Sequence, residues 1–231
     1  MIVIYGTRFY GQVDSHGGQH HLTKFFHIYY VPLLPVQALW VTQEIDGHYR
    51  GHDVKMSGRS VLAGYARIWG PLAAVVAIAT GGVGGVVAAA AAIGATAVTW
   101  TWRSRRSARE QRRSDFHLLA FGTRCDPLDM ELQLATTLSH DVAQRWAEMS
   151  GGNTPEDIAR LGAANPAQAV LAYASLRLAA RLAPGTHARA ARDASDRVID
   201  AIKDDPAALD GGPYRAGGPA QLPPGVDDHA G

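Results

Sequence analysis

Residues 68–102 read IWGPLAAVVAIATGGVGGVVAAAAAIGATAVTWTW, an uncharged run of 35 residues between Arg67 and Arg103. Almost every side chain in this run is apolar or small. A globular core rarely contains such a run, whereas a helix that crosses a bilayer needs about 20 predominantly apolar residues. The run therefore predicts an integral membrane protein whose first partner is the lipid bilayer.

The length of the run indicates two membrane helices rather than one. A single straight helix would be about 50 Å long, against a hydrocarbon core of about 30 Å, which ordinary tilt does not absorb. The glycines of residues 81–85 are typical of a place where a helix ends and the chain turns. Trp69 lies at one end of the run, and Trp100 and Trp102 lie at the other, as interfacial aromatic residues do. We therefore predict a hairpin of two membrane helices.

Two other readings of the run stay open. A single tilted span would leave Gly81 and Gly85 as a G-x-x-x-G packing face for another helix. Alternatively, the run could be a buried, Ala- and Gly-rich helical hairpin inside a soluble protein. Small-residue helix faces also favour self-association or packing against other membrane helices.

A basic flank follows the apolar run and predicts its orientation. Lys and Arg concentrate on the cytoplasmic side of membrane helices, and arginines at both ends of the run require an even number of spans. We expect a multi-pass protein of the plasma (inner) membrane with both termini in the cytoplasm. The flank could also bind anionic lipid, at about 1 kcal/mol for each cation near the surface. Its members are Arg103, Arg105, Arg106, Arg109, Arg112 and Arg113.

The first 56 residues predict a small β-rich module. β-prone pieces cover residues 2–5, 9–13, 22–31 and 36–42, with turn signals at residues 15–18 and at Asp46-Gly47. Pro32 and Pro35 cannot donate to a central ladder, so that piece should lie at a sheet edge or bend there.

The complete domain prediction is an α+β membrane protein in four parts. The β-rich, zinc-ribbon-like module covers residues 1–56, the transmembrane hairpin with its basic flank 57–113, a helical cytoplasmic region 114–205 and a disordered tail 206–231. In the helical region we expect a helix from Asp126-Pro127 to residue 149, then helices opened by Thr154-Pro155 and Asn165-Pro166. A further amphipathic segment places Val198, Ile199 and Ile202 on one side.

Charge and cysteine content exclude some classes of protein. The formal net charge of +1 and the pI near 8.0 argue against a nucleic-acid-binding protein, whose domain would be far more basic. The single cysteine, Cys125, excludes an internal disulfide framework and indicates a reducing compartment for the soluble parts.

Histidines near two predicted turns are the concentrated ligand type. Two ligand pairs at the tips of two β-turns is the layout of a zinc ribbon, but a structural site built from histidines alone is unusual. The simpler interpretation is that they are solvent-exposed turn residues, so we expect no metal and no cofactor. The weak metal candidates are His16, His20, His48 and His52.

Part of the chain resembles a known group of proteins. Tyr5-Gly6-Thr7, the string FHIYYVPLLP at residues 26–35 and GRSVLA at residues 58–63 are similar to a group of uncharacterised bacterial membrane proteins. Their N-terminal module resembles a small zinc ribbon in which an aromatic strand runs into a proline step. The resemblance covers about the first hundred residues and implies a degenerate ribbon on the cytoplasmic side, followed by membrane helices. Both cysteine pairs of the zinc-binding members are missing here, so the resemblance implies neither a metal nor an activity.

The sequence contains no convincing catalytic motif. Cys125, His140 and Asp141 are the strongest candidates. No supporting motif surrounds Cys125, which reads as a structural or incidental thiol. His140 and Asp141 are neighbours on a predicted helix, so they point in different directions, and a solvated helix face explains them well. We predict a non-catalytic anchor or interaction module. The alternatives are a metal-responsive sensor that uses the N-terminal histidines and a membrane enzyme of unidentified chemistry.

Overall fold

The computed structural model describes residues 4–45, 48–103, 107–163, 165–183, 185–202 and 226–229. The chain divides into two compact units. Residues 1–106 and 225–231 form the first, here called the sheet unit, and residues 107–224 form the second, here called the helical unit. An antiparallel sheet together with helices confirms the predicted α+β class. The division falls between residues 106 and 107, whereas the sequence placed it between 113 and 114.

The N-terminal residues of the sheet unit form antiparallel strands that are neighbours both in sequence and in space. This confirms the predicted β module, but its strands differ in detail. The predicted piece that ends at Tyr5 and the piece at residues 9–13 belong to one strand that runs through Gly6, because Gly6 keeps its ladder partner His27. A strand that the sequence did not predict also follows Asp46-Gly47, the predicted turn, whose two residues lie outside the described residues. The strands are β1 (Tyr5–His16), β2 (Gln19–Ile28), β3 (Val31–Ile45) and β4 (His48–Asp53).

The turn between β2 and β3 consists of two tyrosines in an unusual conformation. Tyr29 and Tyr30 have φ angles of 48° and 64°. Two-residue hairpin turns with positive φ at both positions are normally filled by Asn-Gly or Asp-Gly. For other residues the left-handed conformation costs about 1–2 kcal/mol each. The aromatic side chains are therefore placed here at a conformational cost.

The two prolines of β3 lie where the sheet has a local edge. Pairing of β3 with β4 begins only at Leu39, so residues 31–37 have a strand neighbour on one side alone. The register of β2 against β3 also shifts twice in this segment, beside Pro35 and beside Pro32. The predicted edge and the predicted bend are both confirmed.

A fifth strand comes from the far end of the chain. Residues 226–229 form β5 (Val226–His229), whose backbone pairs antiparallel with β4 from His48 to Gly51. The prediction of a disordered tail over residues 206–231 is therefore wrong for these four residues, because tertiary pairing supplies order that their composition does not predict. Residues 206–225 and 230–231 lie outside the described residues.

The first turns of α1 (Gly58–Ala79) pack on the sheet. The Ser60 hydroxyl donates to the carbonyl of Gly11 at 2.7 Å and accepts from the Thr23 hydroxyl at 2.8 Å, in a buried position. A Cβ on Gly64 would lie 2.8 Å from the Phe25 ring. Small residues on this face therefore let the helix approach the strands closely.

The apolar run forms two helices joined by a tight turn. Helix α1 ends at Ala79, and α2 (Gly82–Thr101) begins after Thr80 and Gly81. Gly81 and Gly82 have φ angles of 74° and 73°, which glycine adopts without the penalty of a Cβ. Both helices are long and apolar enough to cross a membrane. The predicted helix break is confirmed, and the alternative of one continuous helix is wrong.

The helical unit contains the remaining five helices of the described residues. Capping boxes at Ser107 and Thr154 and a cap at Asn165 begin three of them, so the predicted starts at Thr154 and Asn165 are confirmed. The helices are α3 (Ala108–Phe121), α4 (Leu132–Met149), α5 (Pro155–Leu161), α6 (Pro166–Leu182) and α7 (Gly185–Ile202).

One helix prediction in this unit is wrong. Helix α4 begins at Leu132 rather than at Asp126, because the Asp126 carboxylate accepts from the Leu128 amide and pairs with Arg177 of α6. Helix α3 also covers residues that the sequence assigned to the hairpin's flank. This helix has a buried face that includes Phe116 and Phe121, which its arginine-rich sequence does not suggest.

Helix α6 is the centre of the helical unit. Eleven of its 17 residues are buried, among them Leu171, Tyr173 and Leu178. Val198 and Ile199 of α7 are buried as well, as their predicted amphipathic pattern requires. The side chain of Ile202 lies outside the described residues.

Candidate membrane interface and buried polar clusters

The helical hairpin presents a continuous set of exposed apolar side chains. Only 17% of the most apolar window of each helix is buried. A core helix of a soluble protein would be mostly buried, so this exposure disfavours the soluble-hairpin reading. Large side chains exposed on the two helices include Leu72, Val75, Val76, Val83, Val86 and Val87.

Contacts between α1 and α2 rely on small residues. The Thr96 hydroxyl donates to the carbonyl of Ala66 across the helix pair at 3.0 Å. A Cβ on Gly70 would lie 2.0 Å from the Thr96 hydroxyl, and a Cβ on Gly85 would lie 2.2 Å from the Ala77 carbonyl oxygen. The two backbones can therefore approach this closely only with glycine at these positions.

Arg67 of α1 connects the two helices and the sheet at the end of the hairpin opposite the glycine turn. Its guanidinium donates to the carbonyl of Gln12 in β1 at 2.9 Å and to the carbonyl of Thr99 in α2 at 2.7 Å. It also stacks over the Trp100 ring, 4.7 Å from the centroid. One cation of α1 thus links this helix to the sheet and to α2 beside Trp100.

The chain returns to the sheet where α2 ends. The backbone amides of Asp14 and Ser15 donate to the carbonyls of Trp102 and Arg103, at 3.1 and 2.8 Å. Both ends of the hairpin therefore lie at the sheet.

The predicted basic flank divides into three parts. Arg103 is exposed at the end of α2, and residues 105 and 106 lie outside the described residues. The other three arginines lie on α3, where Arg109 and Arg113 each donate to a carboxylate of α7 at 2.9 Å. The pairs are Arg109–Asp200 and Arg113–Asp196. A lipid-facing role for the flank stays a prediction.

The four histidines considered as metal ligands lie apart in the sheet pattern. His16 and His48 lie at two different turns, paired with Gln19 and Ile45. His20 pairs with Val41 and His52 with Trp40, and adjacent positions of one strand point to opposite faces of a sheet. Among the described residues, no group of three or more His, Cys, Asp or Glu side chains could hold a metal ion.

Burial changes the interpretation of several of these histidines. His20, His21 and His52 are buried within the sheet, so describing His20 and His52 as solvent-exposed is wrong. Burial lowers the pKa of each of the three rings. The His20 ring makes an edge-to-face contact with Tyr49, with the centroids 6.4 Å apart. The His20 ring is thus packed beside an aromatic ring, whereas Nε2 of His21 lies 3.3 Å from the carbonyl oxygen of Lys55.

The helical unit contains a buried group of polar side chains that the sequence did not predict. We call His117, Asp126, Tyr173 and Arg177 the α6 polar cluster. His117 Nε2 and the Tyr173 hydroxyl share a hydrogen bond of 2.6 Å, and their rings stack with centroids 5.7 Å apart. Arg177 donates to both carboxylate oxygens of Asp126, with 3.0 Å between Nε and Oδ1.

Charges on α3 and α7 extend this cluster. Asp196 accepts from Arg113 at 2.9 Å and lies 3.8 Å from Nη1 of Arg177. Arg181, one turn after Arg177, donates twice to the carbonyl of Met130 at 3.0 Å. The segment between α3 and α4 is thereby held against α6.

The environment of the cluster determines its protonation. Burial lowers the pKa of His117 to about 4, although the Asp126 carboxylate opposes this change. Burial opposes ionisation of Asp126, but His117 and Arg177 hold the pKa of its carboxyl at about 2. Burial also raises the pKa of the Tyr173 hydroxyl. At neutral pH the cluster therefore contains a neutral imidazole, a neutral phenol and one ion pair.

Two of the four residues of this cluster could have been grouped from the sequence. Tyr173 and Arg177 are four residues apart on an otherwise apolar helix, so both belong to one face. Their partners are more than 50 residues away in sequence, and no spacing rule links them. The predicted catalytic candidates lie elsewhere or play other parts: Cys125 is buried next to Asp126, His140 is exposed on α4, and Asp141 pairs with Arg145 at 3.2 Å.

Comparison of the chain with protein-family models, curated proteins and solved structures finds no match. The resemblance of residues 5–63 to uncharacterised bacterial membrane proteins therefore stays a prediction.

Proposed function

We propose that this chain is an integral membrane protein in which the α1–α2 hairpin lies in the bilayer and anchors the two units. The observation that carries the proposal is the exposure of two adjacent apolar helices, each only 17% buried over its most apolar window. In water this surface would be unfavourable by about 25 cal/mol for each Å² of apolar area, whereas lipid solvates it. The closed backbone hydrogen bonding of helices is also what a bilayer requires.

The topology of the hairpin supports one orientation. Because the chain leaves α2 beside β1, residues after Arg103 begin on the side of the bilayer where the sheet lies. Arginines 59, 67 and 103 lie at this end of the hairpin, and residues 70–102 contain no charge. The positive-inside tendency then places this side in the cytoplasm of the plasma (inner) membrane.

We further propose that the protein is a non-catalytic anchor or interaction module. The α6 polar cluster is the best-organised set of titratable groups among the described residues, yet Tyr173 is 0%, and His117 and Arg177 are each 2%, exposed. A substrate could not reach these side chains without opening the core. The hydrogen bonds between His117 and Tyr173 and between Arg177 and Asp126 fit a structural role, in which buried polar groups specify one arrangement of α3, α6 and α7.

Membrane partition of full-length variants tests the anchor. The wild-type chain should sediment with membranes after cell lysis, resist alkaline carbonate and dissolve in mild detergent. Leu72→Glu and Ile93→Glu should shift it toward the soluble or aggregated fraction, since both exposed side chains lie well inside the two apolar arms and a charge near the middle of a span costs about 2.5–3.5 kcal/mol. Leu161→Glu is the matched control, because Leu161 is an exposed apolar residue of the helical unit.

Recovery of the wild-type chain in the high-speed supernatant without detergent would refute the proposal. Sidedness is measured separately, by protease treatment of inverted and right-side-out vesicles that carry a tag at either terminus. Cleavage of both tags only in inverted vesicles supports the orientation, and protection of one of them contradicts it.

Interaction with another copy or another membrane helix is the remaining part of the proposal. Gly84 and Gly94 have no atom within 4 Å of a built Cβ, so they leave open space on α2 for a neighbouring helix. A strictly monomeric form in mild detergent would count against self-association without affecting the anchor.

A further inference from the structure

The apolar surface of the sheet unit continues beyond the helices onto one end of the sheet. Six large apolar or aromatic side chains are exposed there, where β1 begins and β2 turns into β3. We call this group the sheet tip: Tyr5, Tyr29, Tyr30, Leu33, Leu34 and Val36. The opposite end of the sheet carries mainly polar residues, such as His16, Glu44 and His48.

Two hydrogen bonds hold the sheet tip against α1, at the residues where this helix begins to extend beyond the sheet. The Tyr65 hydroxyl donates to the carbonyl of Leu33 at 2.6 Å, and the Trp69 indole donates to the carbonyl of Pro32 at 3.2 Å. The tip therefore lies alongside residues 65–69 of α1. Trp69, which binds the tip, is itself exposed and lies at the start of the apolar run of α1.

Each helix is long enough to span a bilayer over its whole length, but the part of the hairpin beyond Arg67 and Thr99 is too short to do so if the tip stays in water. Between Arg67 and the glycine turn, α1 has 12 residues (68–79). Between that turn and Thr99, α2 has 17 residues (82–98). At 1.5 Å per residue these arms measure about 18 and 25 Å, against a hydrocarbon core of about 30 Å. The missing 5–12 Å corresponds to the depth at which the sheet tip would enter the membrane.

The backbone of the tip is adapted to a site with little water. Among the described residues, no strand pairs with the outer side of residues 31–37 of β3, and unpaired amides there would be costly in lipid. Two of these seven residues are prolines, which have no N–H, and α1 side chains satisfy the carbonyls of Pro32 and Leu33. The unpaired edge is thus partly satisfied without solvent.

The tyrosine turn points to the same environment. Tyr29 and Tyr30 occupy two left-handed positions that glycine or asparagine would fill more easily. Tyrosine is favoured at the boundary between lipid and water, where its ring is solvated by acyl chains and its hydroxyl by headgroups. The Arg8 guanidinium lies over the Tyr30 ring, 5.6 Å from the centroid, where it can reach a lipid phosphate.

We propose that the sheet tip is a second membrane-binding element, immersed in the headgroup and upper acyl region of the leaflet on the side of the sheet. This inference rests on the proposed membrane insertion of the hairpin and adds a lipid-binding surface to it. The sheet tip then occupies the part of the bilayer thickness that the short hairpin does not span. Its ligand is the interfacial region of a phospholipid bilayer.

Depth-dependent quenching in vesicles tests the immersion. Full-length Cys125→Ala protein receives a single labelling site by Leu34→Cys at the tip, Val76→Cys in the hairpin or Ile45→Cys at the other end of β3. Leu34 and Ile45 are matched, because they are apolar residues of one strand with exposures of 62% and 60%. Each variant carries an environment-sensitive fluorophore in phosphatidylcholine–phosphatidylglycerol vesicles, with or without brominated acyl chains. Tyr30→Cys provides a second tip site.

The proposal expects brominated lipid to reduce the fluorescence at Leu34 and Val76 by at least about twofold, and aqueous iodide to quench only the label at Ile45. Quenching of Val76 by lipid, with Leu34 and Tyr30 quenched by iodide, would overturn the immersed tip and leave the hairpin anchor intact. Labels at the tip shielded from both quenchers would also overturn it, by indicating that protein, such as a second copy, covers the tip. Absence of lipid quenching at Val76 would refute the hairpin anchor itself.

Discussion

Helices α2 and α6 have similar compositions and opposite surroundings. Both are rich in alanine and branched apolar residues, with 20 and 17 residues. Eleven residues of α6 are buried, whereas the buried residues of α2 are Ala89 and Thr99 alone. Helix α6 reaches its burial by being surrounded with α3, α4, α5 and α7. Helix α2 packs on α1 and leaves its other faces to a solvent that, on our proposal, is lipid.

The helix α6 and the hairpin also differ in the groups that bind their arginine side chains. Helix α6 buries Arg177 against the carboxylate of Asp126, so a charge from the loop before α4 is needed. The hairpin satisfies Arg67 with backbone carbonyls and contains no carboxylate partner for it on α1 or α2. The surroundings of an apolar helix therefore depend on the groups that bind its few charged side chains as much as on its hydropathy.

Removing the carboxylate from the α6 polar cluster should produce the largest effect. Asp126→Ala removes the carboxylate that binds the buried Arg177 guanidinium through two hydrogen bonds, and leaves it Asp196, which lies 3.8 Å away and is shared with Arg113. We expect a loss of about 3–5 kcal/mol in the free energy of unfolding of the helical unit. Cys125 is the single cysteine and is buried, so its alkylation in urea reports opening of this unit in the full-length protein in detergent.

Two variants serve as controls for that loss. Asp126→Ala combined with Arg177→Met removes both charges and should recover most of it. Arg145→Ala removes a half-exposed ion pair with Asp141 and should cost about 0.5 kcal/mol or less. An Asp126→Ala protein as stable as Arg145→Ala would contradict the proposed role of the cluster.

Acid should weaken the α6 polar cluster next most strongly. The pKa of His117 is about 4 in the folded protein and about 6.5 when unfolded, so the unfolded state binds more protons between these values. Stability is fully present above about pH 6.5 and falls by about 3 kcal/mol as the pH drops toward 4. Asp126 adds little to this loss above pH 4, because the stability that its depressed pKa confers is lost only as the pH falls from its ordinary pKa of about 3.8 toward about 2.

Urea midpoints measured by circular dichroism from about pH 7 to about pH 4 check this expectation. The buried histidines of the sheet unit contribute in the same direction, so the comparison is with His117→Gln, which removes one titrating group. The variant should lose less stability than the wild type over this range. His140→Gln, at an exposed position of α4, should behave as the wild type. Equal losses in wild type and His117→Gln would disprove the assignment to His117.

A side chain at the helix crossing should separate the hairpin without affecting α6. Gly85→Val places carbon atoms against the Ala77 carbonyl oxygen, where even a Cβ would lie at 2.2 Å. We expect about 1–3 kcal/mol of destabilisation, as for overpacked cores. Gly84→Val is the adjacent control, since a Cβ there meets no atom within 4 Å.

Thermal unfolding in mild detergent should therefore distinguish the two glycine variants, while urea-dependent alkylation of Cys125 should be the same in both. A lower midpoint for Gly84→Val than for Gly85→Val would contradict the proposed α1–α2 packing.

The smallest effect is expected from one hydroxyl of the cluster. Tyr173→Phe removes the hydrogen-bond partner of the buried His117 Nε2 and should cost about 1–2 kcal/mol. Thr137→Ala removes an exposed hydroxyl that bonds within α4, and it should change stability by less than about 0.5 kcal/mol. Alkylation of Cys125 in urea measures both, and equal midpoints would argue that the Tyr173 bond does not stabilise the unit.

Local rules predicted the elements whose causes are local. The glycines after Thr80, the N-caps at Thr154 and Asn165, and the prolines of β3 each act within a few residues, so their consequences were readable. Predictions failed where distant residues intervene. Asp126 resembled a helix start but is bound by Arg177, and the arginines of α3 resembled a membrane flank although two of them pair with α7.

The histidines show the same limit for a candidate site. Their spacing suggested two exposed turns, yet ladder pairing buries His20 and His52 and directs them to opposite faces of the sheet. Burial depends on which strand covers which, and a single sequence does not specify register to one residue.

Residue order was sufficient for an α+β chain with two apolar helices joined at glycines, because chain length, hydropathy and backbone freedom act along the chain. Three-dimensional packing alone decided that α6 is enclosed while α2 stays open, that Asp126 meets Arg177, and that the tyrosine turn lies beside Trp69. These outcomes depend on contacts between residues far apart in sequence, whose free energies arise only when both partners are brought together and desolvated.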